Sequence, residues 1–160
     1  MASDIEIGEL FGLEEVVAIY PLFRQVNTLD EASFRARLSA MCAQGNYRCI
    51  AAYMDGRMVG AAGFWIGTQL WCGKYVEADN VVVDVAARGM GIGAGLMAWI
   101  EAEGEREACA LLRIAAVLSN VDARRFYARN GFFDDGILMA KALSRGAAAF
   151  PEYVARRDSD

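Results

Sequence analysis

A glycine-rich stretch from Arg88 to Gly95 separates a valine-rich run, residues 81–85, from a segment of helical apolar spacing that extends from Ile92 to Glu107. That order predicts a strand, a tight loop and a helix. Four glycines in eight residues let the backbone curl close to a ligand. The N–H groups of the first helical turn have no partners inside the helix, so they converge on an anion that the helix dipole also favours. Arg88 adds a fixed positive charge at the mouth of the loop. The stretch therefore predicts a site for a diphosphate-bearing ligand.

Spacing separates the phosphate loops that this stretch could be. A P-loop needs Gly-Lys-Ser/Thr, whereas Gly95 is followed by Leu96. Gly89, Gly91 and Ala94 satisfy a dinucleotide fingerprint nominally, but the acidic residue expected after the next strand is missing, because Leu111–Leu118 runs into Ser119 and Asn120. A chain of 160 residues also has little room for a two-half nucleotide-binding sheet. The remaining pattern is Arg-x-x-Gly-x-Gly, carried by Arg88, Gly91 and Gly93. A second motif lies downstream: Asn120, Ala123 and Tyr127, followed by Gly131 and Phe132. Ala123 and Tyr127 are four apart and share a helix face, and Asn120 is the expected cap of that helix.

In order and separation the two motifs resemble the acetyl-CoA pyrophosphate loop and the Asn-x-x-Ala-x-x-x-Tyr element of the GNAT superfamily of N-acetyltransferases. The resemblance covers about residues 45 to 143. It implies an α/β (α+β) fold: a mixed, mostly antiparallel central sheet of six to seven strands, its central parallel pair splayed at one end, flanked by about four helices. It also implies acetyl-CoA as co-substrate, held by Val81, Val82 and Val83 on one strand, by Arg88, Gly89, Met90, Gly91, Ile92, Gly93 and Ala94 of the loop, and by Asn120, Ala123 and Tyr127. The pantetheine arm would pair with the edge of the first splayed strand as if it were another strand. The implied reaction is acetyl transfer to a primary amine by direct attack in a ternary complex. A CoA-binding sensor or inactive partner subunit, and a transferase of another acyl group, are the alternatives.

Tyr127 falls at the family's acid position, where it would protonate the departing thiolate. For the base, strand alternation predicts Glu77, Asp79, Val81 and Val83 on one face, so both carboxylates could enter the cleft. Asp79 is preferred as the residue nearer the valines. Trp65, Trp71 and Tyr75 around the preceding turn either shape an acceptor pocket or cover the sheet.

Composition narrows the chemistry further. The chain has no histidine, which excludes Ser-His-Asp and Cys-His nucleophiles and any histidine metal site. Four scattered cysteines form no Cys-x-x-Cys pair, so neither zinc nor disulfides are expected, and no metal is predicted. A net charge of −5 with no basic stripe disfavours nucleic acid. Together with the two cleft carboxylates, it predicts a cationic acceptor, a small-molecule or peptide amine. Neither a signal peptide nor a long apolar run is visible, so the sequence reads as cytoplasmic, with no membrane partner, and as a monomer or homodimer.

Along the chain the pattern predicts a strand at Ile5 and Ile7, then a helix over Leu13–Val26 interrupted at Pro21. A helix capped by Asp30 follows, then strands Tyr47–Met54 and Met58–Ile66 joined by a hairpin at Asp55-Gly56-Arg57. A turn over Gln69–Lys74 leads to strand Tyr75–Val85, the loop and its helix. Strand Leu111–Leu118, helix Ala123–Arg129 and a last strand Ile137–Lys141 complete one domain over residues 1–145, with 146–160 as a tail.

Overall fold

The computed structural model describes residues 4–146 and residue 149. It divides into two compact units, Met1–Phe126 and Tyr127–Asp160. The first unit holds a five-stranded sheet in the order β1-β2-β3-β4-β5, formed by β1 (Ile5–Leu10), β2 (Tyr47–Met54), β3 (Arg57–Gln69), β4 (Gly73–Val83) and β5 (Leu111–Ile114). The first four strands pair antiparallel, and β4 pairs parallel with β5. The parallel pair is joined through helix α4 (Ile92–Arg106), as a crossover requires.

Local chemistry explains most boundaries. The β2–β3 turn is the dipeptide Asp55-Gly56 with both φ angles positive, at 52° and 74°, the geometry whose twist suits a two-residue hairpin. Helix α1 (Gly12–Val17) and helix α2 (Tyr20–Phe23) are the two pieces of the helix expected before residue 27. Pro21 sits in the first turn of α2, where its missing N–H costs nothing. Helix α3 (Glu31–Ala43) starts at Asp30, whose carboxylate accepts the Ser33 N–H at 2.9 Å.

The two faces of the sheet have separate coverings. On one, Val16, Leu22, Phe34 and Leu38 of α1–α3, with Ile19 just before α2, pack with Tyr47, Cys49, Ala61 and Val82 of the strands. On the other, α4 lies close enough to the sheet that a Cβ on Gly60 would meet Ile92 at 2.7 Å and a Cβ on Gly104 would meet Val76 at 2.7 Å. Arg48 of β2 clamps this helix, reaching Glu9 of β1 and Glu103 of α4 across the ring of Phe64. Glu103 is 7% exposed, and its hydrogen bonds from Arg106 and Arg48 hold its carboxyl down at about 2.

Three expectations about strands are not met among the described residues. Five strands are found among the described residues in place of six to seven, and no strand forms over residues 137–141. Ile137, Leu138 and Met139 are all exposed there, so neither a ladder nor a core holds the segment extended. The apolar run after Ala110 is a strand only to Ile114; Val117 and Leu118 are exposed beyond it. Most of the expected tail, residues 147–148 and 150–160, lies outside the described residues. Among the described residues no helix is long and apolar enough to cross a membrane.

Candidate active site

A β-bulge decides which side chains face the site. Between the pairs Ala61↔Val82 and Gly63↔Asp79, β3 advances two residues while β4 advances three. Asn80 absorbs the extra residue with φ 50°, a left-handed conformation that asparagine tolerates better than most residues. The bulge resets the alternation. Glu77 and Asp79 do share a face, opposite Trp65 and Gly63 of β3. Val83 does not join them, contrary to simple alternation: Val82 enters the core under α1–α3, and Val83 turns to the other face, 3.7 Å from where a Cβ on Gly93 would stand.

The same strand outruns its parallel neighbour. Pairing with β5 extends from Tyr75↔Leu111 to Ala78↔Ile114 and stops. Five further residues of β4, Asp79–Val83, have no strand beside them on that side among the described residues. An open row of backbone groups results, the kind of edge an amide-bearing chain can pair with. Asp79 stands at the point where the opening begins.

Beyond β4 the chain makes a single 3₁₀ turn, Val85–Ala87, capped by Asp84, whose carboxylate accepts the Ala86 N–H at 3.0 Å and pairs with Arg57 at 3.2 Å. The exposed residues Arg88, Gly89, Met90 and Gly91 then lead into α4. Gly91 caps that helix at φ 81° and ψ 1°, and no side chain caps it. The first helical bond runs from Gly95 N–H to the Gly91 carbonyl at 2.9 Å, so the N–H groups of Ile92, Gly93 and Ala94 have no acceptor within the helix. Ile92 buries its side chain and has only its N–H to offer. An uncapped helix start, a left-handed glycine and an exposed arginine fit the pyrophosphate of a CoA-type ligand by the chemistry of their donors.

On the Asp79 face, Trp65 donates its indole N–H to the Asp79 carboxylate at 3.1 Å. The Tyr47 ring packs on Trp65 with centroids 4.8 Å apart and fills the space above Gly63. The Tyr47 hydroxyl is buried and has no hydrogen-bond partner among the described residues, and burial pushes its pKa well above that of an ordinary phenol. Glu77 is engaged differently: its carboxylate takes the Nε–H of Arg113 on β5. Arg113 also donates to Gln69 at 2.9 Å and stacks on Tyr75, 3.8 Å from the ring centroid. Trp71 donates to the same Gln69 oxygen at 2.7 Å.

Thus the tryptophans and Tyr75 do more than cover the sheet. Arg113 was not foreseen, because its partnership with Glu77 depends on the parallel register of β4 and β5, which no local pattern encodes.

Helix α5 (Val121–Arg129) begins at Asn120, whose side chain accepts the Ala123 N–H at 3.1 Å and whose carbonyl takes that of Arg124. The Phe126 ring approaches within 3.2 Å of the Cβ position on Gly93, so a side chain at Gly93 would crowd it. Tyr127 belongs to the second unit, where its ring meets Phe132 edge-on at 5.6 Å and burial raises the pKa of its phenol. A surface depression beside β1, lined by Glu6, Glu9, Glu15 and Tyr53, lies at the far edge of the sheet from the β4–β5 opening.

This arrangement agrees with what the chain is similar to. Residues 13–132 match the model of the acetyltransferase (GNAT) family, and the chain belongs to that family. It is 29% identical over 133 residues to an aminoalkylphosphonate N-acetyltransferase of Salmonella typhimurium, covering 81% of this chain and 86% of that protein. Among solved structures it superposes on a ribosomal-protein-alanine N-acetyltransferase of Brucella melitensis with TM-score 0.73 at 19% identity, covering 88% of this chain and all of the other. It superposes equally well on an aminoglycoside 6′-N-acetyltransferase of Acinetobacter haemolyticus, with TM-score 0.73 at 16% identity, covering 87% and 99%. The structures share the fold; the family match makes the chain an N-acetyltransferase, an enzyme class whose members use acetyl-CoA.

Proposed function

We propose that the chain transfers an acetyl group from acetyl-CoA to a primary amine, in one step and within a ternary complex. The observation that carries this reading is the free edge of β4 from Asp79 to Val83, running beside the uncapped start of α4. The N–H groups of Ile92, Gly93 and Ala94, with Arg88, bind the pyrophosphate, and the backbone of Val81–Val83 pairs with the pantetheine amides. Asn120 and Ala123 border the arm. The bound thioester supplies the activated acetyl group.

Asp79 accepts the proton that an incoming ammonium must lose before it can attack, directly or through one water. It is the better base of the two carboxylates because Glu77 is already bound to the Arg113 guanidinium, while Asp79 is oriented by one neutral donor, Trp65. A backbone N–H near Val83 stabilises the oxygen on which negative charge develops. Tyr127 is assigned to the departing sulfur by its place in the family's motif. Its raised pKa keeps the phenol protonated through neutral pH, and since a thiol titrates near about 8.5, Tyr127 acts chiefly as a hydrogen-bond donor to the thiolate. That a relative 29% identical is named for acetylating an aminoalkylphosphonate supports a small-molecule amine as the acceptor.

Thiol release from acetyl-CoA, followed over a panel of amines, tests the reading. Asp79→Asn is expected to lower kcat by about 100-fold or more with CoA affinity retained, and Glu77→Gln to change kcat far less. Equal effects of the two substitutions would remove Asp79 from the base role.

A further inference from the structure

The sheet face that carries Asp79 also carries a cation, and its surroundings are built to hold it still. The register sets Arg113 beside Glu77, one pair short of the place where β4 and β5 part. Three contacts fix its guanidinium: the Nε–H to Glu77, one Nη1–H to Gln69 and the stack on Tyr75. Gln69 is in turn held by Trp71. A guanidinium has five N–H groups. Two are used, and those that remain, both of Nη2 among them, have no partner among the described residues. The side chain is 31% exposed, so this open edge can be reached.

We infer that Arg113 binds an anionic oxyacid group on the acceptor, so that the substrate is a short amine with a phosphonate, phosphate or carboxylate at its other end. The inference deepens the acetyl-transfer reading and rests on it. A fixed guanidinium fork matches two oxygens of such a group, and orientation is already secured by Glu77, Gln69 and Tyr75 before the ligand arrives. Asp79 lies two residues farther along β4 on the same face, about 7 Å at the usual rise of a strand. An ammonium drawn to Asp79 and an oxyanion on Arg113 therefore suit one small zwitterion. Net acidity and the two cleft carboxylates pointed to a cationic acceptor; the guanidinium changes that expectation. Because Glu77 balances the charge of Arg113, recognition depends on directed hydrogen bonds, and lysine is a poor substitute.

The test uses the full chain, acetyl-CoA and three amines of similar length: 2-aminoethylphosphonate, β-alanine and propylamine. The wild type is expected to favour an anionic amine over propylamine at least tenfold in kcat/KM. Arg113→Met should erase that preference by raising KM for the two anionic amines toward that for propylamine. Arg113→Lys, which keeps the charge and loses the fork, should forfeit most of it, and it serves alone if the methionine variant does not fold. A wild type without the preference, or a folded Arg113 variant that retains it, overturns the inference while acetyl transfer stands. If no amine is turned over, the acetyl-transfer reading fails, and calorimetry of 2-aminoethylphosphonate with CoA-saturated protein decides the clamp separately: binding that Arg113→Lys abolishes supports it, and no binding overturns it.

Discussion

Gly91 offers a way to separate what the glycine loop costs the fold from what it gives the ligand. Its φ of 81° lies in the left-handed region, and a Cβ there would meet nothing within 4 Å. In the free protein, Gly91→Ala therefore carries only the conformational penalty, about 1–2 kcal/mol for an L-residue in that region. For a chain of this size that corresponds to a fall of roughly 2–8 °C in Tm. If the loop relieves the strain by leaving the left-handed conformation, CoA binding must restore it, so affinity falls by at most about 5- to 30-fold. Gly91→Glu has the same backbone penalty and adds a carboxylate where phosphate oxygens must approach, so its loss of affinity should far exceed that limit. Gly45 supplies the control: it has φ 79° with equally open space, after α3. Gly45→Ala should lower Tm similarly and leave CoA affinity unchanged. Scanning calorimetry and isothermal titration with CoA measure both quantities. A folded Gly91→Glu protein that binds CoA within about threefold of the wild type would refute the loop's role, and an unshifted Tm for Gly91→Ala would refute the strain argument.

Two further outcomes are expected. Tyr127→Phe removes one hydroxyl from a half-buried phenol; kcat should fall by about 10-fold or more with CoA affinity nearly intact, and equal turnover under conditions where chemistry limits the rate would exclude Tyr127 from the reaction. Glu103, buried against Arg48 and Arg106 with its carboxyl held at about 2, contributes stability that is fully present above the unfolded value near 4.5 and is lost as pH falls toward 2. Urea unfolding should show Glu103→Gln less stable at pH 7 by on the order of 1–2 kcal/mol, a modest figure because Arg106 is largely exposed, with the gap closing below pH 4; a gap independent of pH would contradict the pairing.

The sequence by itself determined the parts whose signals are local. Alternating apolar runs, the Asp55-Gly56 turn, the caps Asp30 and Asn120 and the glycines before Ile92 each encode their own backbone, because φ preferences and nearby hydrogen bonds act within a few residues. The glycine loop and its helix start were legible for that reason, and Asp79 and Glu77 do share one face. Only the tertiary structure decided matters that depend on which strand lies beside which. The bulge at Asn80 turned Val83 away from Asp79, since alternation holds only where both strands advance in step. The parallel register joined Glu77 to Arg113, leaving Asp79 the less encumbered carboxylate. The fold of the chain over β2 and β3 brought Tyr47 and Trp65 above Gly63 and so aimed an indole at Asp79. The apolar run at residues 137–141, by contrast, had the local pattern of a strand and no neighbour to pair with among the described residues, and β-structure, unlike a helix turn, exists only where a second strand satisfies it.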